Sequence, residues 1–124
     1  MTLVSRFLSK DNKLQAAQVQ DSAHILKGAS GDHVAKIQTA LALLDNARIA
    51  VQEINDKSFG PSTADAVLAY KRKRRIINFT YQSQADSIVG KMTITVLDAE
   101  MKQLEIQSLA RNSCAGKQTR QVFV

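Results

Sequence analysis

Two stretches decide the fold: Asp56-Lys57-Ser58-Phe59-Gly60-Pro61-Ser62-Thr63 and Asp86-Ser87-Ile88-Val89-Gly90-Lys91-Met92-Thr93. Set at an offset of 30 residues they share one pattern, D-x-x-hydrophobic-G-x-x-T, and four residues beyond each Thr an apolar side chain, Val67 or Leu97, corresponds again. The residue types have a physical logic. An Asp carboxylate accepts backbone N–H groups in a turn, the apolar residue plugs the core, and Gly permits a backbone setting that costs other residues energy. The Thr hydroxyl falls in the first helical turn, where it can bond back to the loop. Each copy therefore reads as a joint that turns a loop into a helix.

Working outward, Pro61 suits the first helical position, and Thr63, Val67 and Tyr70, backed by Ala66 and Ala69, form the inward stripe of one helix. That helix closes on Lys71, Arg72, Lys73, Arg74 and Arg75, which complement the negative end of its dipole. After the second joint, Ile94, Leu97, Met101 and Leu104 keep the same period. Upstream, Val34, Ile37, Leu41 and Leu44 mark another helix, with Ser30, Gly31 and Asp32 available to cap its start. Ala47 to Glu53 alternates weakly and reads as a short extended piece, and Ile76 to Asp86 as a long connection holding Phe79 and Tyr81. Met1 to Ala23 is polar and Gln-rich and reads as an arm or a short helix, and from Arg111 the periodicity stops in a flexible tail. The expected fold class is all-α, a three-helix bundle over residues 25–110, with an N-terminal arm (1–24) and a C-terminal tail (111–124).

The chain has 124 residues, 44% of them hydrophobic but only 5% aromatic and none Trp, so Leu, Ile, Val and Ala must build one aliphatic core. Its net charge of +6 favours anionic partners: nucleic acid, acidic lipid, or cell wall with its carboxylates and phosphate-bearing polymers. A single cysteine, Cys114, excludes an internal disulfide. No run reaches the roughly 18 to 20 apolar residues of a membrane span; the longest apolar-rich stretch, Ile37 to Leu44, is interrupted by Gln38 and Thr39. Met1 to Lys13 has no continuous apolar segment, so no cleaved signal peptide is expected. A target outside the cytoplasm, in the periplasm or another cell, would then need a signal-independent route.

The repeats resemble those of the peptidoglycan-binding domain 1 family, which read roughly D-G-x-F-G-x-x-T-x-x-A-V-x-x-F-Q and then D-G-x-V-G-x-x-T. Here the first copy continues with Ala66-Val67 and Tyr70-Lys71 at the A-V and F-Q positions. Leu26-Lys27-Gly28-Ala29-Ser30-Gly31-Asp32-His33-Val34-Ala35-Lys36-Ile37-Gln38-Thr39-Ala40-Leu41 is similar to the family's opening L-x-x-G-x-x-G-x-x-V-x-x-L-Q-x-x-L. Lys57 and Ser87 replace the Gly of both D-G pairs, Lys71 replaces a Gln, and Arg75-Ile76 occupies the usual G-L site. The resemblance spans about Ile25 to Met101 and implies a three-helix module with both repeat loops near a shallow groove, binding peptidoglycan or a muropeptide without catalysis.

The ligand-binding candidates are Asp56, Lys57, Tyr70, Lys71, Arg74, Phe79, Tyr81 and Asp86. Turn-building and capping are the simpler duties of the two Asp residues, and core packing that of Tyr70. Phe79 and Tyr81 are the loop aromatics, able to offer faces to glycan, while Lys71 to Arg75 could hold an anionic polymer. Nucleic acid is the weaker reading of that run, because no aromatics interleave it. His24, His33 and Cys114 are too scattered for a metal site, and no nucleophile, phosphate-loop or dinucleotide motif appears, so neither metal, cofactor nor enzymatic activity is expected. The expected role is a wall-targeting module for an attached or associated hydrolase or effector. The alternative is a protein-docking module of a secretion or injection system.

Overall fold

The computed structural model describes residues 3–20, 23–76 and 86–115, with side chains described to residue 108. Among the described residues six helices follow one another: α1 (Arg6–Ser9), α2 (Asn12–Val19), α3 (Asp32–Asp45), α4 (Val51–Asp56), α5 (Pro61–Arg74) and α6 (Lys91–Ala115). Among the described residues there is no strand, only two isolated antiparallel bridges, Ile25 with Val89 and Ser30 with Ser58. The protein is all-α, and no described helix is long and apolar enough to cross a membrane.

The three long helices fall where the apolar period places them. On α3, Val34, Ile37 and Leu41 are buried; on α5, Thr63, Ala66, Val67 and Tyr70; on α6, Ile94, Leu97 and Met101. These stripes face one another, with Phe59 and Val89 wedged between them from the two joints. Of the three residues available to cap α3, Gly31 takes the cap position, at φ 127° and without a side-chain hydrogen bond, and Asp32 opens the first turn.

Three expectations need correction. Ala47 to Glu53 is not an extended piece, since α4 begins at Val51. The third long helix does not fade at Arg111 but continues to Ala115. The N-terminal stretch carries two helices whose Leu8, Leu14 and Ala17, with Leu3 before them, are buried in the same core as α3, α5 and α6. Polar contacts fasten it as well. The buried Asp98 carboxylate on α6 accepts the Val4 amide at 2.9 and 3.0 Å and the Ser5 amide at 2.7 Å. One α-helical double turn further along the same face, Glu105 accepts the Ser5 hydroxyl at 2.6 Å and the amides of Arg6 at 2.9 Å and Phe7 at 3.2 Å. Two carboxylates thus satisfy the free amides at the start of α1, which backbone bonding within so short a helix leaves unmet.

Helices α3, α4 and α5 end on Asn46, Lys57 and Arg75, each left-handed with φ between 52° and 54°. A side chain in this region costs about 1 kcal/mol relative to Gly. Arg75 is exposed, whereas the next residue, Ile76, is buried. Arg75→Gly should therefore raise the unfolding free energy by roughly 0.5–1 kcal/mol, read as a higher denaturant midpoint with unchanged slope.

Candidate functional site

Residues 25–31 run as a short ribbon between the two joints, and both joints attach to it by their plug residue. Phe59 donates its amide to Ala29 O at 2.8 Å and accepts from the Gly28 amide at 2.9 Å. Val89 exchanges two bonds with Ile25, at 2.8 and 3.0 Å. Each helix then starts at the Gly after the plug: Gly60 O accepts the Ala64 amide and Gly90 O the Ile94 amide, both at 2.9 Å. Thr63 and Thr93 are buried in the first turns.

A second equivalence lies beneath. The carbonyl just before each plug is latched by a long side chain from the preceding long helix. Gln38 of α3 donates to Ser58 O at 3.0 Å, and Lys71 of α5 donates to Ile88 O at 2.8 Å. Both side chains are buried, so the bonds occur where a lost partner is expensive. Lys71 also meets Asp86 at 2.6 Å, and Asp86 accepts the Ile88 amide at 3.0 Å, the turn-organising duty expected of it. Lys71→Ala should destabilise the chain by about 2–3 kcal/mol, because it strips both the carbonyl and the carboxylate of their donor; Lys71→Gln, which keeps a donor to the carbonyl, should lose less. Chemical denaturation of both variants checks the order.

At the first joint the expected acid is not the working one. Asp56 is the last residue of α4, exposed, and accepts from the Gln52 amide group at 2.7 Å. Its expected place is taken by Glu53, which accepts the amides of Gly60, Ser62 and Thr63 at 3.1, 3.0 and 2.9 Å and the Thr63 hydroxyl at 2.8 Å. The Thr63 hydroxyl in turn accepts from Gln38 at 3.0 Å, so Gln38, Thr63 and Glu53 form one polarised chain. A carboxylate from α4 thereby caps the N-terminus of α5, which has no cap of its own. Burial opposes the charge on Glu53, yet the donors of Ser62 and Thr63 outweigh it and hold the carboxyl down to about 2.

The two joint glycines also have a different reason from the one expected. Gly60 has φ −104°, and neither Gly60 nor Gly90 is left-handed. A Cβ on Gly60 would lie 2.7 Å from Glu53 Cδ, and one on Gly90 would lie 3.0 Å from His24 Nε2. Close approach of a side chain, not backbone freedom, is what these positions require.

The sequence candidates divide by location. Asp56 and Lys57 are exposed at the first joint, where Lys57 pairs with Asp32 at 2.6 Å and holds the Asp32 carboxyl below its ordinary value. Asp86 and Lys71 meet at the second joint. Tyr70 is fully buried, its hydroxyl donating to Glu100 at 3.1 Å; burial and that carboxylate push the phenol upward. Arg74 stacks on the Tyr70 ring at 3.7 Å and pairs with Glu100 at 2.7 Å and Asp45 at 3.4 Å. Phe79 and Tyr81 lie outside the described residues. Of the basic run, Lys71, Lys73 and Arg74 are all engaged with carboxylates, leaving a patch far less positive than its sequence. Beside the joints the ribbon exposes Leu26, Lys27, Gly28 and Ser30; His24, next before it, and Lys57, whose carbonyl accepts the Gly31 amide, are exposed as well.

Glu53 and Gln38 are the important residues that the repeat pattern does not single out. Gln38 stands in the opening block, but nothing local says that its amide reaches the first joint; Glu53 precedes its repeat and carries no spacing signal. Among the described residues no group of three His, Cys, Asp or Glu side chains could hold a metal ion. No protein-family model, curated protein or solved structure matches this chain.

Proposed function

We propose that the protein is a noncatalytic peptidoglycan-binding module that brings an attached or associated hydrolase or effector to the bacterial wall. The observation that carries the reading is the pair of loop-to-helix joints hung on one ribbon, in the order and spacing of the family it resembles. Its departures from the family pattern are physically mild. Lys57 and Arg75 stand where Gly is usual, and both adopt the left-handed backbone that Gly takes most easily. Lys71 stands where Gln is usual and makes the same kind of carbonyl bond that Gln38 makes at the other joint. A muropeptide would lie along the exposed ribbon, contacting Lys27, Ser30, Asp56 and Lys57, a polar and shallow site suited to weak, repeated attachment. The test is sedimentation with purified sacculi: the chain should pellet at low and moderate salt, and retention in the supernatant at both would overturn the reading.

A docking module for a partner protein is the second reading. It is favoured by the internal engagement of Tyr70, Lys71 and Arg74 and by exposed Leu43, Val51 and Ile54 on α3 and α4. Stoichiometric co-purification with one protein, without sacculus binding, would select it.

A further inference from the structure

We propose a second binding site, away from the joints, where a groove between α1, α3 and α6 holds a polyol-phosphate chain. The groove has a volume of about 470 Å³. Four cations line it, Arg6 from α1, Lys10 just beyond, Lys36 from α3 and Lys102 from α6, with Phe7 and Ile106 supplying apolar floor. The one acid in the lining is Glu105, whose oxygens are already occupied by the Ser5 hydroxyl and the Arg6 and Phe7 amides. These donors oppose the burial that would otherwise raise Glu105 and hold its carboxyl below the ordinary value, so it stays charged but turned to the protein. The groove thus carries an excess of positive charge, four cations against the one carboxylate that Lys102 also helps to hold low, contributed by separate elements that the N-terminal helices bring together.

The lining narrows the ligand. Three of the four cations are Lys, compact point charges without the planar fork that reads a single carboxylate or phosphate in two bonds. Their spread suits a flexible chain with repeated charges. A peptide docked through its main chain finds no open amides at the rim, since those of Arg6 and Phe7 are taken by Glu105. Single-stranded nucleic acid would need open aromatic faces for its bases, yet Phe7 is half-buried with the Lys36 ammonium over its ring at 5.7 Å. A polyol-phosphate chain needs neither. The groove stands on this geometry alone; the choice of a wall-linked polymer as its source rests on the wall reading above.

Calorimetric titration with soluble poly(glycerol phosphate) tests the site. The chain should bind, with affinity falling steeply as salt rises; Lys10→Gln/Lys36→Gln/Lys102→Gln should weaken binding at least tenfold and flatten the salt dependence, with an unchanged melting curve. Lys10→Gln/Lys102→Gln, which leaves Lys36 on Phe7, should give a smaller loss in the same direction. Arg72→Gln/Arg75→Gln should bind like the unaltered chain. No binding, undiminished binding by the triple variant, or tighter binding to an oligothymidylate or a poly-glutamate peptide of equal charge would overturn the proposal. Sacculi chemically stripped of phosphate polymer separate the two readings. Binding to stripped sacculi without binding to the polymer would remove the groove and leave the wall module; binding to the polymer alone would do the reverse.

Discussion

Replacing Leu14 with Ala is expected to lower the unfolding free energy by about 3 kcal/mol, a large share of the roughly 5–15 kcal/mol typical of a domain. Leu14 is fully buried on α2, which packs against α6. Truncation removes its transfer energy and leaves a cavity on the α2–α6 contact that α6, fixed at its start by the second joint, closes only in part. Val19→Ala on the same helix supplies the contrast. Val19 is half exposed, and its loss should stay within about 0.5 kcal/mol. Were the N-terminal stretch a dangling arm, both variants would melt like the unaltered protein. A coupled effect should appear on α6: Asp98→Ala leaves the Val4 and Ser5 amides without their acceptor, and its cost should overlap with that of Leu14→Ala rather than add to it.

The second large effect is expected at Glu53. Removing its carboxylate by Glu53→Ala orphans three amides at the start of α5 and one Thr hydroxyl, at a cost of about 2–3 kcal/mol; Glu53→Gln, which keeps one acceptor oxygen, should cost less. The pH dependence has a definite sign. A folded-state carboxyl near 2 against an ordinary value of 4.5 means that the unfolded chain takes up the proton first. Stability from Glu53 is therefore complete above the ordinary carboxyl range and drains away as pH falls from about 5 toward 2. Asp32 and Glu105, both also held low, act in the same direction. Chemical denaturation at stepped pH should show a smaller acid loss in Glu53→Gln than in the parent chain. An identical acid profile would mean that Glu53 does not cap α5 in solution.

The division between what the amino-acid order discloses and what it hides follows the range of the forces involved. Both joints were legible because their duties are local: Phe59 and Val89 plug the core, and Thr63 and Thr93 enter the first turns, within a few residues of each Gly. The helical stripes of α3, α5 and α6 were legible for the same reason. Glu53 was hidden because it acts across a chain reversal, on amides that no spacing rule connects to it. The N-terminal helices were hidden because Leu3, Leu8, Leu14 and Ala17 straddle two short helices and a turn, so their burial shows no helical period. Their anchors, Asp98 and Glu105, read as ordinary surface charge on a helix until the amides of residues 4–7 are laid over them. Lys71 misled in the opposite sense, since a lysine opening a run of five cations reads as exposed and is instead a buried latch.

The glycines carry a related lesson. Pattern alone assigned Gly60 and Gly90 to backbone freedom, whereas the left-handed positions are Lys57 and Arg75, and the glycines make room for Glu53 and His24. Gly60→Ala should accordingly act through Glu53, displacing a side chain fixed by four hydrogen bonds, at about 1–3 kcal/mol.

Titration of a soluble muropeptide, followed by backbone amide shifts, reads directly whether a wall ligand lies along the ribbon between the joints. Saturable shifts are expected in residues 26–31 and at Asp56 and Lys57, with the groove residues Lys10 and Lys102 unmoved. Shifts absent at saturating ligand, or confined to surfaces away from the ribbon, would contradict that placement.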